Sequence, residues 1–136
     1  MTASTSTVTD EQLIEMAKQV RENASAAFSN FKVGAALLGE DGRVHTGCNV
    51  ENATYGLTVC AERVAIFKAI SEGARKFVKI VVVADTDQLT PPCGACRQIT
   101  WEFCGDTEVI LSNLHGKTET FRMRDLFPRA FDASFL

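Results

Sequence analysis

The chain has 136 residues, 46% hydrophobic and 23% charged, with nine Gly, three Pro and a formal net charge of −3, which excludes a disordered or collagen-like chain. One domain of this length buries roughly two-thirds of its unfolded surface, so a single core suffices, and runs such as Ile80 to Ala84 are far shorter than the roughly 20 residues of a membrane span. Fourteen basic residues against seventeen acidic ones, scattered without a basic block, leave no footprint for a polyanion, so neither nucleic acid nor membrane is expected as a partner.

Residues 1–8, mostly Ser and Thr, read as a flexible tail lacking the positive segment and apolar core of a secretory signal, which points to the cytoplasm. Residues 9–136 read as one domain. Thr9 followed by Gln12 fits a capping box, and Leu13, Ile14, Ala17, Val20 and Ala24 recur at helical spacing, predicting a helix over 10–27. A buried strand over 32–38, a turn at Gly39-Glu40-Asp41-Gly42 and a returning strand over 43–47 form a hairpin, which leaves Asn49 and Glu51 just beyond a strand.

The stripe Ala61, Val64, Ala65, Ala69 and Ile70 predicts a helix over 60–72 that stops at Gly73 and starts at Cys60. The β-branched run 79–84 has no alternation and reads as a central strand covered on both faces. Pro91-Pro92 breaks the chain, and helical spacing resumes over 93–103, with Cys93 and Cys96 in its first turn. Short strands follow over 108–112 and 119–122, and the segment 126–136, with three Phe, should dock on the body. This order of elements implies a layered α/β domain with helices covering a sheet.

Five cysteines, Cys48, Cys60, Cys93, Cys96 and Cys104, are an odd set in a chain with an adequate core, which favours metal or thiol chemistry over a disulfide framework. Cys93-Gly94-Ala95-Cys96 puts two thiols one helical turn apart at a positive helix end, which favours thiolate. Alone, this spacing is shared by redox pairs, half-sites of structural zinc and catalytic metal sites. Cys60, at a second helix start, offers a third soft ligand, and three protein ligands with a fourth position open mean a catalytic zinc. Glu62 then stands where a carboxylate can take a proton from an activated water and hand it to a leaving group, whereas an isolated helix Glu would more often face solvent beside a Lys or Arg.

Cys60-Ala61-Glu62 followed by Pro92-Cys93-Gly94-Ala95-Cys96 matches the zinc deaminase signature. The chain further resembles the small homotetrameric cytidine deaminases over nearly its whole length. The likeness runs from Phe28-Ser29-Asn30-Phe31-Lys32-Val33-Gly34-Ala35-Ala36, through Asn49-Val50-Glu51-Asn52-Ala53-Thr54-Tyr55-Gly56-Leu57-Thr58-Val59-Cys60-Ala61-Glu62-Arg63, to Leu126-Phe127-Pro128-Arg129-Ala130-Phe131.

The resemblance implies a three-layer α/β/α domain with a central mixed sheet of about five strands and one zinc ion per subunit on Cys60, Cys93 and Cys96. It implies hydrolytic deamination of cytidine and 2′-deoxycytidine in pyrimidine salvage, with Glu62 moving protons during attack on C4 of cytosine. Arg63 is expected on the thiolate ligands, offsetting their charge. Phe31 is expected beside the base, the Ala61 N–H at the pyrimidine 2-oxo group, and Asn49 with Glu51 on the sugar hydroxyls. Tyr55 and Phe131 resemble residues that reach neighbouring active sites across subunit interfaces, so a homotetramer is expected. Cys48 and Cys104 take no role. Asn30, Phe28 and Arg129 depart from related sequences at the pocket mouth and interface, away from the metal motif.

Other readings of the same residues are a deaminase of another cytosine-containing small molecule, such as a nucleoside antibiotic, and a thiol redox protein. A structural zinc site closed by His45 or His115 and a polynucleotide-editing enzyme complete the set.

Overall fold

The computed structural model describes residues 8–136. Most of the expected tail therefore lies outside the described residues; Val8, its last position, packs against the core beside the first helix. That helix, α1 (Asp10–Arg21), opens with the capping box: Thr9 Oγ1 accepts the Gln12 N–H at 3.1 Å and Gln12 Oε1 accepts the Thr9 N–H at 2.9 Å.

α1 ends six residues before the expected 27. The cause is long-range pairing: the Ser25 N–H donates to the Asn49 carbonyl at 3.0 Å and the Glu51 N–H to the Ser25 carbonyl at 2.8 Å. These bonds pull 25–27 out of helical geometry, and Asn30 then turns the chain at φ +57°, a left-handed conformation that Asn tolerates better than most residues.

The hairpin β1 (Val33–Gly39) and β2 (Val44–Cys48) forms as expected, each strand shifted by one residue. It is followed by α2 (Ala61–Ser71), β3 (Phe77–Ala84), α3 (Gly94–Cys104), β4 (Glu108–Ser112), β5 (Thr118–Arg122) and a single helical turn, α4 (Met123–Leu126). The five strands make one mixed sheet in the order β2-β1-β3-β4-β5. β3 and β4 are parallel, joined through α3, and the other neighbours are antiparallel.

Both faces of the sheet are covered, which explains the unbroken apolar runs of its inner strands. Ala36, Leu38, Val81, Val83 and Ile110 face α1 through Leu13 and Ala17. Their alternates Ala35, Leu37, Ile80, Val82, Val109 and Leu111 face α2 and α3. The result is the expected three-layer α/β/α sandwich. Each fully buried Leu or Ile, such as Leu37 and Ile66, contributes about 1.5–3 kcal/mol.

Close contact of α2 with the sheet comes from small residues. Ala61, Ala65 and Ala69 repeat every four positions and are completely buried, and the first two lie over Gly47 of β2. A Cβ at Gly47 would fall 2.4 Å from the Ala65 nitrogen and 2.6 Å from the Ala61 oxygen, both backbone atoms of α2. Gly47→Ala is therefore expected to push α2 off the sheet at a cost of about 1–3 kcal/mol and to displace Glu62 with it. A lowered Tm together with lowered activity is the expected result; an unchanged Tm would contradict this packing.

The C-terminal segment docks on α3 as expected, but through polar bonds rather than its Phe side chains, of which only Phe127 packs against the core. Gln98 Nε2 donates to the Phe131 carbonyl at 2.8 Å and Trp101 Nε1 to Asp132 Oδ2 at 2.9 Å. No helix among the described residues is long and apolar enough to cross a membrane.

Candidate active site

Two helix N-termini meet at one end of the sheet. Cys60 is the N-cap of α2 and Cys93 the N-cap of α3, so both stand where backbone N–H groups and the helix dipole favour negative charge. Neither thiol caps its own helix. Instead Cys60 and Cys93 face each other at 3.9 Å, and with Cys96, one turn into α3, the three sulfurs lie within 4.8 Å of one another.

This donor set fits zinc. Bonds of about 2.3 Å at tetrahedral angles place zinc-bound sulfurs about 3.8 Å apart, close to the Cys60–Cys93 separation. It is the only group of three or more potential metal ligands among the described residues. His45 is bound to Glu72 at the far end of α2, at 2.8 Å, and His115 to Asp85 at 2.9 Å, so neither closes the site as a fourth ligand. The structural-zinc reading therefore has no support.

Charge in the cluster is shared unevenly. The Cys60 thiol is brought down to about 5, foremost by the Cys96 thiol donating to it and then by Arg63 and Cys93. Cys96 moves up, because its proton is held on Cys60 and the side chain is buried. Arg63 Nη2 lies 3.6 Å from Cys60 Sγ and donates to the Thr58 carbonyl at 3.3 Å. Its guanidinium can offset part of the thiolate charge.

Glu62, in the first turn of α2, is 5% exposed and lines the adjoining cavity. Burial pushes its carboxyl up to about 7, and the nearby Cys60 thiolate adds to the rise. A group poised there can accept and return a proton near neutral pH. By contrast the two cysteines outside the cluster are inert: burial raises the Cys104 thiol to about 12 and the Cys48 thiol less far.

The cavity measures about 240 Å³. Cys60, Cys93, Ala61 and Glu62 line it together with Phe31, Asn49 and Glu51. Such a volume suits a single small molecule, being below the about 300–1,000 Å³ typical of drug-sized ligands. Asn49 is buried and mostly spent on the backbone, with Oδ1 accepting the Val33 N–H at 2.9 Å and Nδ2 donating to the Phe31 carbonyl at 2.8 Å. Glu51 Oε1 accepts the N–H groups of Phe28 and Ser29, both at 3.0 Å, and Oε2 accepts the Ser29 hydroxyl.

Nine expected residues, Phe31, Asn49, Glu51, Cys60, Ala61, Glu62, Arg63, Cys93 and Cys96, are thus gathered in or beside one cavity. Neither Tyr55 nor Phe131 lines this cavity, although Tyr55 lines an adjoining pocket that shares Ser29, Glu51 and Thr58 with it. Tyr55 is 74% exposed and packs edge-on against Phe28, and Phe131 is 56% exposed and stacks on Phe135 at 5.8 Å. Ser29, Thr58, Thr90 and Pro91 also line the cavity, although no sequence signal assigned them to it.

Residues 7–112, which include every cavity residue and all three cysteines of the cluster, match the family model for the zinc-binding region of cytidine and deoxycytidylate deaminases. The chain belongs to the cytidine and deoxycytidylate deaminase family. Among its relatives, a cytidine deaminase of Halalkalibacterium halodurans is 55% identical over 124 residues, covering 90% of this chain and 94% of that one. The cytidine deaminase of Sporosarcina psychrophila is 52% identical, over 89% of this chain and 90% of its own. The crystal structure of cytidine deaminase from Burkholderia pseudomallei superposes with a TM-score of 0.89 at 50% identity, covering 91% of this chain and 100% of that one. Within this family the three-cysteine cluster is the zinc site, and the thiol redox reading has no further basis.

Proposed function

We propose that the chain hydrolyses the 4-amino group of cytidine and 2′-deoxycytidine, giving uridine and 2′-deoxyuridine with release of ammonia. The observation that carries this reading is Glu62, buried beside three converging cysteines and lining a cavity sized for a nucleoside. Cys60, Cys93 and Cys96 would hold zinc, which when bound would supply the Lewis acidity that makes water nucleophilic near neutral pH. Glu62 takes a proton from the attacking water, delivers one to N3 so that C4 becomes electrophilic, and later protonates the departing amine. Water adds to C4, the C4–N4 bond breaks, and the second water proton leaves with ammonia.

The remaining residues bind and orient. Phe31 lies along the base and the Ala61 N–H, at the first position of α2, points to the 2-oxo group. Asn49 keeps one N–H and one lone pair after its backbone bonds, and Glu51 keeps about one of its four acceptor positions. Together they suit a sugar hydroxyl that donates to Glu51 and accepts from Asn49. The pair favours a nucleoside over the free base.

Tyr55 and Phe131, exposed on one chain, act in this reading at neighbouring active sites of a homotetramer. Residues 9–136 form the one deaminase domain, and the enzyme serves pyrimidine salvage in the cytoplasm. A substrate panel and a solution mass test the reading. Cytidine and 2′-deoxycytidine are expected to turn over, with cytosine and a cytosine-containing single-stranded oligonucleotide left unchanged, at a mass about four times the 14.8 kDa of the chain. Preferential turnover of the oligonucleotide would contradict the substrate assignment, and an active monomer the cross-subunit role.

A further inference from the structure

Ser29 stands between the group assigned to the base and the group assigned to the sugar. Its hydroxyl donates to Glu51 Oε2 and accepts the Phe31 N–H at 3.0 Å, using the one donor and one of the two lone pairs a hydroxyl has. The second bond is an ST-turn, made possible by the left-handed Asn30 between the two residues. Glu51 Oε1 is tied to backbone N–H groups, whereas Ser29 is the partner of Oε2, the oxygen left to meet a ligand. The Phe31 carbonyl is held in turn by Asn49 at 2.8 Å. Ser29, Glu51, Asn49 and Phe31 therefore form one hydrogen-bonded unit along the cavity wall.

We propose that Ser29 is a positioning residue for sugar recognition, its hydroxyl fixing the Glu51 carboxylate toward the cavity and locking it in register with the backbone of Phe31. This rests on the reading of Asn49 and Glu51 as the sugar-binding pair. Without the hydroxyl, Oε1 stays held by its two backbone N–H groups, but Oε2 loses its anchor and can turn about that hinge into orientations that do not accept from the sugar. The same bond is the foremost reason that the Glu51 carboxyl sits below the usual carboxylate range, which keeps it a charged acceptor. Ser29 is exposed at the turn, so its replacement leaves the core untouched.

The test is steady-state kinetics on cytidine with the zinc-loaded wild type, Ser29→Ala, Ser29→Thr, Glu51→Gln and the Ser29→Ala/Glu51→Gln double variant, each checked by thermal melting. Ser29→Ala is expected to raise KM on the order of tenfold, the scale of a hydrogen bond to a charged group, with kcat within about twofold of wild type. Ser29→Thr, which restores the hydroxyl, returns KM close to wild type. In the Glu51→Gln background, whose own KM is raised, Ser29→Ala adds nothing further. A raised KM for Glu51→Gln with none for Ser29→Ala overturns the role of Ser29 alone. An equal Ser29→Ala penalty in both backgrounds also overturns it, because Ser29 would then act independently of Glu51. A wild-type KM for Glu51→Gln removes the sugar reading, and the proposal falls with it.

Discussion

Glu62→Gln is expected to lower kcat by about 10²–10⁴-fold while zinc content stays at one per chain. Gln fills the same space but cannot carry one water proton to N3 and the other to the departing amine. Burial already holds the Glu62 carboxyl up to about 7, so the fold gains nothing from its charge. A neutral amide in that position is expected to leave Tm unchanged or raise it, a separation of stability from activity that marks a functional residue. Metal analysis and melting on the same preparation check both halves. Loss of zinc in the variant would make Glu62 a ligand, contrary to the geometry, in which the three sulfurs converge on their own.

Cys96→Ser is expected to abolish both zinc retention and turnover. Cys96, in the first turn of α3, is completely buried, and its sulfur completes the only candidate donor set among the described residues. An oxygen donor there is harder and shorter, and two thiolates alone do not hold zinc against a chelator. The metal-free cluster also sets the sign of a pH effect. Cys60 is already ionised at neutral pH, whereas Cys96 is pushed up, so zinc must displace the Cys96 proton on binding. Zinc affinity is therefore expected to fall as pH drops from 8 to 6, by about tenfold per pH unit for each proton displaced. Chelator competition at the two pH values measures it; an affinity independent of pH, or a Cys96→Ser protein that keeps zinc, would contradict the ligand assignment.

The chemistry of the site was legible because it is written locally. Cys60 and Glu62 are two residues apart, Cys93 and Cys96 three, and each pair sits at a helix start that N-terminal signals disclose. The layered fold was legible for a related reason: strands covered on both faces carry unbroken apolar runs, and the Ala61, Ala65 and Ala69 ridge announces a close helix. What the sequence concealed depends on contacts between distant segments. Apolar spacing through Ala24 suggested a longer α1, but pairing of Ser25 with Asn49 and Glu51 ends it earlier. Ser29 reaches Glu51 across 22 residues, a distance over which no spacing rule operates. Docking of the C-terminal segment could be expected from its Phe residues, but its partners Gln98 and Trp101 could not.

The account turns on one reaction. Purified protein of known zinc content is mixed with cytidine, and ammonia release is followed together with the ultraviolet change of the base, with zinc-retaining Glu62→Gln as control. Stoichiometric ammonia and uridine from the wild type, and neither from the variant, are the predicted result. A wild-type protein that holds one zinc per chain and leaves both cytidine and 2′-deoxycytidine unchanged would contradict it.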